Sequence, residues 1–159
     1  MLLGQLLKSL NKEHQRIGVR GISFDSRKVK KNYVFFAITG QQKSGANFIP
    51  NAISNGASAI IIDKKIKRKN CEIPIILVDD ARSSLSEACS KFYNKKPKNI
   101  IAVTGTNGKS SIVNFFYQIL KLNAVSVASI GTLGIFSNKF KKKTNLTSID
   151  SLSLHKNLQ

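Results

Sequence analysis

Hydrophobic residues fall into short runs along the chain, separated by polar stretches and by segments of helical periodicity. Six runs rich in β-branched and aromatic residues predict strands, at 21–24, 33–38, 58–63, 73–80, 99–105 and 125–131. Apolar spacings of three and four predict helices at 47–57, 82–94 and 110–122, and a short amphipathic helix within 1–16. Because strands and helices alternate, the pattern favours an α/β fold with mainly parallel strands.

A short polar segment, "NKKPKN" at 94–99, indicates a domain boundary. With 159 residues, the chain accommodates one domain, or one small domain and part of another. We therefore expect a small N-terminal α/β domain over 1–96 and the start of a second domain over 97–159. The polar residues from 137 to 148 are expected to form a loop or a hairpin.

The formal net charge of +18 is the most unusual bulk property of the chain and raises the question of nucleic-acid binding. The basic residues fall in separate runs, at 64–69, 95–98 and 139–143. They comprise 21 Lys and only 5 Arg, although Arg is the side chain that best reads base edges. We interpret the charge as solvated surface with some attraction for acidic small substrates.

Several functional classes are not favoured by the sequence. No apolar run approaches the length of a membrane span, and the N-terminus lacks the pattern of a signal peptide. Cys71 and Cys89 form no metal pattern, and His14 and His155 are the only histidines. We expect a cytoplasmic protein without membrane association and without a histidine-based catalytic triad.

The segment "TGTNGKSS", 104–111, has the features of a phosphate-binding loop between a predicted strand and a predicted helix. Gly105 permits a sharp exit from the strand, and Gly108 lets the backbone approach phosphates closely. Lys109 would place its ammonium near the β- and γ-phosphates, and the hydroxyl of Ser110 would bind Mg²⁺. Two residues rather than the usual four separate Gly105 from Gly108.

With its preceding valine, this loop resembles the ATP loop of the Mur ligases, cytoplasmic enzymes that build the peptide of peptidoglycan by forming amide bonds. Folylpolyglutamate and cyanophycin synthetases share that loop, but longer segments narrow the resemblance. Residues 24–62, beginning "FDSRKVKKNYVFF", resemble the N-terminal uridine-nucleotide domain of the family. The segments "SIGTLGI" (129–135) and "LTSIDSLSLHKNL" (146–158) resemble the members that add the third amino acid.

The resemblance implies functional residues in three groups. The group expected to bind ATP and Mg²⁺ is Gly105, Thr106, Asn107, Gly108, Lys109, Ser110 and Ser111. Within it, Lys109 is the expected catalytic residue and Ser110 the expected metal ligand. Ser26, Gln41 and Gln42 would hold the uridine diphosphate, and Thr147 and Ser148 would contact the muramoyl-peptide substrate.

Two of these assignments have simpler readings. Ser26 and Arg27 could belong to an ordinary turn with a surface ion pair. Thr147 and Ser148 could cap a helix, with Asp150 supporting its first turn. The sequence also departs from the family, because Ile149 stands where the family usually has proline.

The implied activity is ATP-dependent addition of an amino acid to UDP-N-acetylmuramoyl-L-alanyl-D-glutamate through an acyl phosphate. The fold implied is a uridine-nucleotide domain followed by the start of a P-loop central domain with a mainly parallel sheet. Family members continue well beyond this length, so we expect an N-terminal fragment that is inactive alone. A ligase that adds D-alanyl-D-alanine and a non-enzymatic module that binds nucleotides or nucleic acid remain the alternatives, and the added amino acid stays open.

Overall fold

The structure is a computed structural model of the 159-residue chain. It describes residues 1–8, 10–40, 44–66, 71–143 and 149–159. The chain forms two compact units, one made of Met1–Lys96 with Ser151–Gln159 and the other of Pro97–Asp150. Among the described residues, no helix combines the length and the apolar character that crossing a bilayer requires.

Helices and strands alternate through much of the chain. The helices are α1 (Leu3–Leu6), α2 (Lys12–Gln15), α3 (Ile49–Ser54), α4 (Ala81–Phe92), α5 (Lys109–Leu122) and α6 (Ser151–Leu158). The strands are β1 (Gly21–Ser23), β2 (Tyr33–Ala37), β3 (Ala57–Asp63), β4 (Ile75–Val78), β5 (Ala128–Gly131), β6 (Gly134–Ser137) and β7 (Lys141–Lys142). Short 3₁₀ turns occupy Ser26–Lys28 and Gly45–Phe48.

The first unit is a four-stranded parallel sheet in the order β1-β2-β3-β4, with helices on both faces. Successive side chains of a strand point to opposite faces, so the buried residues divide into two clusters. The cluster shared with α1 and α4 contains Val34, Phe36, Ala59, Ile61 and Ile76. The cluster shared with α3 contains Phe35, Ala37, Ile60, Ile62 and Ile75. This three-layer arrangement confirms the predicted α/β fold and the first four predicted strands.

The predicted helix within 1–16 is instead two four-residue helices that pack against each other. A Cβ added at Gly4 would lie 2.9 Å from the Cβ of Gln15, which shows how closely α1 and α2 approach. The amide of Leu3 donates to the carbonyl of Ile17 at 2.9 Å, and this bond closes the fold-back. A single continuous helix over 1–16 could not form these contacts, because they require the chain to fold back on itself.

The second unit differs from the sequence prediction in its strands. Residues 99–105 were predicted as a strand, but they form none, and Ile100 and Ile101 are 60% and 66% exposed. A strand requires a paired neighbour, and no described strand of this unit pairs with the segment. The strand predicted at 125–131 begins at Ala128 and pairs antiparallel with β6, which pairs with β7 in turn. The expected hairpin therefore starts earlier than 137, and residues 144–148 lie outside the described part.

Candidate functional site

The candidate phosphate loop lies directly before helix α5 in the second unit. Gly108, the residue before the helix, has φ of 77°, and Gly105 has φ of 148°. Both values lie in backbone regions that disfavour residues with a Cβ, which explains glycine at both positions. The first helical bond joins the amide of Ile112 to the carbonyl of Gly108 at 2.9 Å. The amides of the first helical turn therefore have no acceptor within the helix and can bind an anion.

The ammonium of Lys109 lies over this loop. Its Nζ donates to the carbonyl of Gly105 and, at 3.0 Å, to the carbonyl of Thr106. These two solvent-exposed hydrogen bonds place the positive charge of Lys109 beside the carbonyls of Gly105 and Thr106. A phosphate placed at the helix N-terminus would meet both that charge and the free amides.

The hydroxyl of Ser110 has a partner that the sequence did not identify. Its Oγ lies 2.9 Å from Oγ1 of Thr132, and either hydroxyl can donate. Thr132 is the first residue of the two-residue turn between β5 and β6, and Gly134, which follows the turn, has φ of 129°. Lys109, Ser110 and Thr132 line a cleft of about 260 Å³. The sequence feature that could have pointed to Thr132 is the hairpin pattern "GTLG" at 131–134. This pattern predicts a turn, but it does not show that Thr132 contacts Ser110.

The chemistry of these donors fits a nucleotide with Mg²⁺. The ion prefers oxygen ligands, and in P-loop proteins a Ser or Thr hydroxyl binds it together with substrate phosphates. Ser110 supplies a hydroxyl oxygen, and Lys109 and the helix N-terminus supply positive charge for the phosphates. No cluster of three or more His, Cys, Asp and Glu side chains exists among the described residues that could hold a metal by itself.

Ser26 lies in the first unit, in the 3₁₀ turn that follows β1, and is only 5% exposed. Asp25 caps this turn by accepting from the amide of Arg27 at 3.1 Å. The guanidinium of Arg27 donates to both carboxylate oxygens of Asp25, at 3.0 and 2.9 Å. The hydrogen bond from that guanidinium is the main cause that holds the pKa of the Asp25 carboxyl below its ordinary value. The surface ion pair that was the simpler reading of this segment is therefore present, between Arg27 and Asp25.

The carboxyl ends of the parallel strands β1 and β2 lie at the same edge of the sheet. Carboxyl ends of parallel strands form the usual ligand-binding edge of such folds. Ser26 follows β1 there, and the segment containing Gln41 and Gln42 follows β2. Gln41 and Gln42 lie outside the described residues, and so do Thr147 and Ser148. Their roles stay predictions.

The same edge carries charged residues that the sequence reading did not single out. Asp63, at the end of β3, accepts from the amide of Ala81 at 2.6 Å. Asp80 caps α4 by accepting from the amides of Arg82 and Ser83, at 2.8 and 3.2 Å. These contacts fix the start of α4 at the carboxyl edge of the sheet.

Comparison with known proteins defines the class of this chain. The sequence profile described as "Mur ligase family, catalytic domain" matches residues 18–93, and the profile described as "Mur ligase middle domain" matches residues 103–159. The chain belongs to the Mur ligase family.

Individual relatives make the similarity more specific. The chain is 44% identical over 155 residues to a protein of Rickettsia montanensis named UDP-N-acetylmuramoyl-L-alanyl-D-glutamate–2,6-diaminopimelate ligase. A solved structure with the same enzyme name matches 99% of this chain and 32% of its own length, with 27% identity and a TM-score of 0.79. A solved MurF ligase of Thermotoga maritima in complex with ADP matches 65% of this chain and 24% of its own, with 30% identity and a TM-score of 0.52.

These alignments also define how much of a relative the chain represents. The match with the Rickettsia montanensis protein covers 94% of this chain but 31% of that protein. The chain thus spans about a third of the length of the curated relatives that it matches.

Proposed function

We propose that the chain is the substrate-binding and ATP-loop part of a ligase that adds 2,6-diaminopimelate to UDP-N-acetylmuramoyl-L-alanyl-D-glutamate. The observation that carries this proposal is the 44% identity, over 94% of the chain, to a ligase of that name. The family matches at 18–93 and 103–159 contain all three groups of predicted site residues. The choice of diaminopimelate rests on the names of the relatives, because no described residue of this chain is assigned to the incoming amine.

In this proposal, the two predicted domains bind different ligands. The domain over 1–96 would bind the uridine diphosphate at the carboxyl edge of its sheet, through Ser26, Gln41 and Gln42. The domain over 97–159 would bind ATP with Mg²⁺ through residues 105–111, and Thr147 and Ser148 would contact the muramoyl peptide. The related MurF structure is a complex with ADP, which supports nucleotide binding by ligases of this family.

The proposed chemistry joins phosphoryl transfer to amide formation. The γ-phosphoryl group would move to the D-glutamyl carboxylate, and the amine would then displace phosphate from the resulting acyl phosphate. Lys109 would stabilise negative charge on the transferring group, and the amides at the start of α5 would orient the phosphates. Mg²⁺ held at Ser110 would neutralise phosphate charge. We place this reaction in the cytoplasm, as expected from the resemblance to the cytoplasmic Mur ligases.

Two alternatives receive less support. A ligase that adds D-alanyl-D-alanine would be expected to match MurF structures over most of the chain, yet the MurF match covers 65% with a TM-score of 0.52. A nucleic-acid module would use the net charge of +18, but only 5 of the 26 basic residues are Arg, the side chain that best reads base edges.

The decisive assay is phosphate release by the natural full-length protein. We expect release to require ATP, Mg²⁺, the UDP-muramoyl dipeptide and diaminopimelate together, and to fall strongly in Lys109→Met. Phosphate release that proceeds equally without the UDP substrate would contradict the proposal. DNA binding whose affinity falls steeply with salt, with no affinity for the UDP substrate, would favour the nucleic-acid module.

A further inference from the structure

We infer that Asn55 is a positioning residue of the uridine-nucleotide site, an inference that rests on the function proposed above for Ser26. Asn55 lies directly after helix α3, 29 residues from Ser26 in sequence. Its side-chain Nδ2 donates to the backbone carbonyl of Ser26 at 2.9 Å. The same amide nitrogen donates to Oδ1 of Asn51 at 2.8 Å. Both hydrogens of the amide are therefore used, and they join the end of α3 to the turn after β1.

The other described bonds of the turn are local. The amide of Lys28 donates to the carbonyl of Asp25 at 3.0 Å, and the amide of Val29 donates to the carbonyl of Ser26 at 3.3 Å. These bonds set the shape of the turn, but they connect only residues within it. The bond from Asn55 instead connects the turn to the end of helix α3. It therefore fixes where the turn lies, which the local bonds cannot do.

The residues next to Asn55 are held by backbone hydrogen bonds and by burial. The next residue, Gly56, has φ of 93° and donates from its amide to the carbonyl of Ile53 at 2.9 Å. Its carbonyl accepts from the amide of Asn32 at 2.9 Å, at the start of β2. On either side, Ala52 is fully buried and Ala57 is 6% exposed. The side chain of Asn55 can therefore hold its acceptor, the carbonyl of Ser26, in a fixed position.

Fixing a backbone carbonyl also fixes the hydroxyl of the same residue. Serine has one side-chain torsion, so the place of its Oγ follows from the backbone of Ser26 and one staggered rotamer. Binding sites require their polar groups within roughly 0.5 Å of the productive geometry. Asn55 would thus act on the nucleotide through Ser26 without touching the nucleotide itself.

The test compares uridine diphosphate binding by the natural full-length protein and its variants, measured by titration calorimetry. Asn55→Ala removes the donor, and Asn55→Asp keeps the shape but places a carboxylate against two acceptor oxygens. Loss of one hydrogen bond predicts roughly fivefold weaker binding for Asn55→Ala, and Asn55→Asp should bind more weakly still. The matched control is Ser54→Ala, which removes the bond from Ser54 Oγ to the carbonyl of Asn51, 2.9 Å long at the same helix end. Its affinity should stay within about twofold of the unmodified chain.

A second readout separates positioning from general stability and needs no ligand. Hydrogen exchange at the amides of Lys28 and Val29 should accelerate in Asn55→Asp and stay unchanged in Ser54→Ala. ATP binding should be the same in all variants, because the phosphate loop belongs to the other unit. Equal uridine diphosphate affinity in the Asn55 variants and the control would overturn the inference while leaving the proposed function intact. Failure of the unmodified full-length protein to bind uridine diphosphate would instead contradict the proposed function itself.

Discussion

Replacing Lys109 by methionine tests whether the phosphate loop acts through one placed charge or through the basic surface as a whole. Lys121 provides a matched control, because it lies in the last turn of the same helix α5. Lys109→Met and Lys121→Met each lower the net charge of +18 by one and preserve a long unbranched side chain. The two variants differ chiefly in where the charge is removed.

The expected magnitudes follow from the helix geometry. Lys121 is twelve residues beyond Lys109, which corresponds to about 18 Å along a helix that rises about 1.5 Å per residue. That separation is roughly two Debye lengths at physiological ionic strength, so Lys121 hardly acts on a phosphate at the N-terminus. A hydrogen bond to a charged group contributes about 1.5 to 3 kcal/mol, which predicts roughly 10- to 150-fold weaker ATP binding for Lys109→Met. The exposed contacts of Lys109 with the loop carbonyls can be replaced by water, so the fold should persist.

Fluorescence titration with a labelled ATP analogue and Mg²⁺ measures both affinities, and thermal unfolding checks the fold. We expect a large loss for Lys109→Met and a change below about twofold for Lys121→Met. Equal losses in both variants would show that diffuse positive charge attracts the nucleotide. Full affinity in Lys109→Met would refute the placement of phosphate at this loop.

Three further predictions concern the supporting contacts. Thr132→Val should raise the Mg²⁺ concentration needed for nucleotide binding by about tenfold, and Thr132→Ser should not, because only valine removes the partner of the Ser110 hydroxyl. Asp80→Ala should lower the free energy of unfolding in urea by about 1 kcal/mol through the lost helix cap, while Asp79→Ala, whose side chain is 90% exposed, should change it by less than about 0.5 kcal/mol. Arg27→Ala should lower stability near neutral pH but not in strong acid, as measured by denaturation across the acid range. Arg27 lowers the folded-state pKa of Asp25, so its contribution is complete above the ordinary carboxyl pKa of 3.8 and disappears as the pH falls through the lowered value. A stability difference that persisted after full protonation would contradict this assignment.

The strands of the first unit could be predicted because their pattern is strong and their partners lie nearby in sequence. Val34 to Ala37 and Ala59 to Ile62 are buried on both faces, so each forms a continuous apolar run of the kind typical of parallel sheets. The helix after the candidate phosphate loop could also be predicted, and α5 begins at Lys109, directly after Gly108. The roles of the individual loop residues stay predictions.

Other features depend on contacts that a linear pattern does not contain. Residues 99–105 have the composition of a strand, but composition does not supply the neighbouring strand that completes a ladder. Thr132 reaches Ser110 across 22 positions, and Asn55 reaches Ser26 across 29. Asn55 lies within the helix predicted at 47–57 and Thr132 directly follows the strand predicted at 125–131, and neither pattern identifies a partner. Their partners become visible only when the elements are packed.

Under the function proposed above, the chain is part of a ligase whose amine substrate is diaminopimelate. The most direct measurement is mass spectrometry of the products formed by the natural full-length protein from the UDP-muramoyl dipeptide, ATP and Mg²⁺. Diaminopimelate, lysine and D-alanyl-D-alanine would be supplied together at equal concentrations. We predict a UDP-muramoyl tripeptide that carries diaminopimelate, with stoichiometric release of phosphate. A product that carries lysine or D-alanyl-D-alanine instead, or no ATP-dependent product at all, would contradict the account.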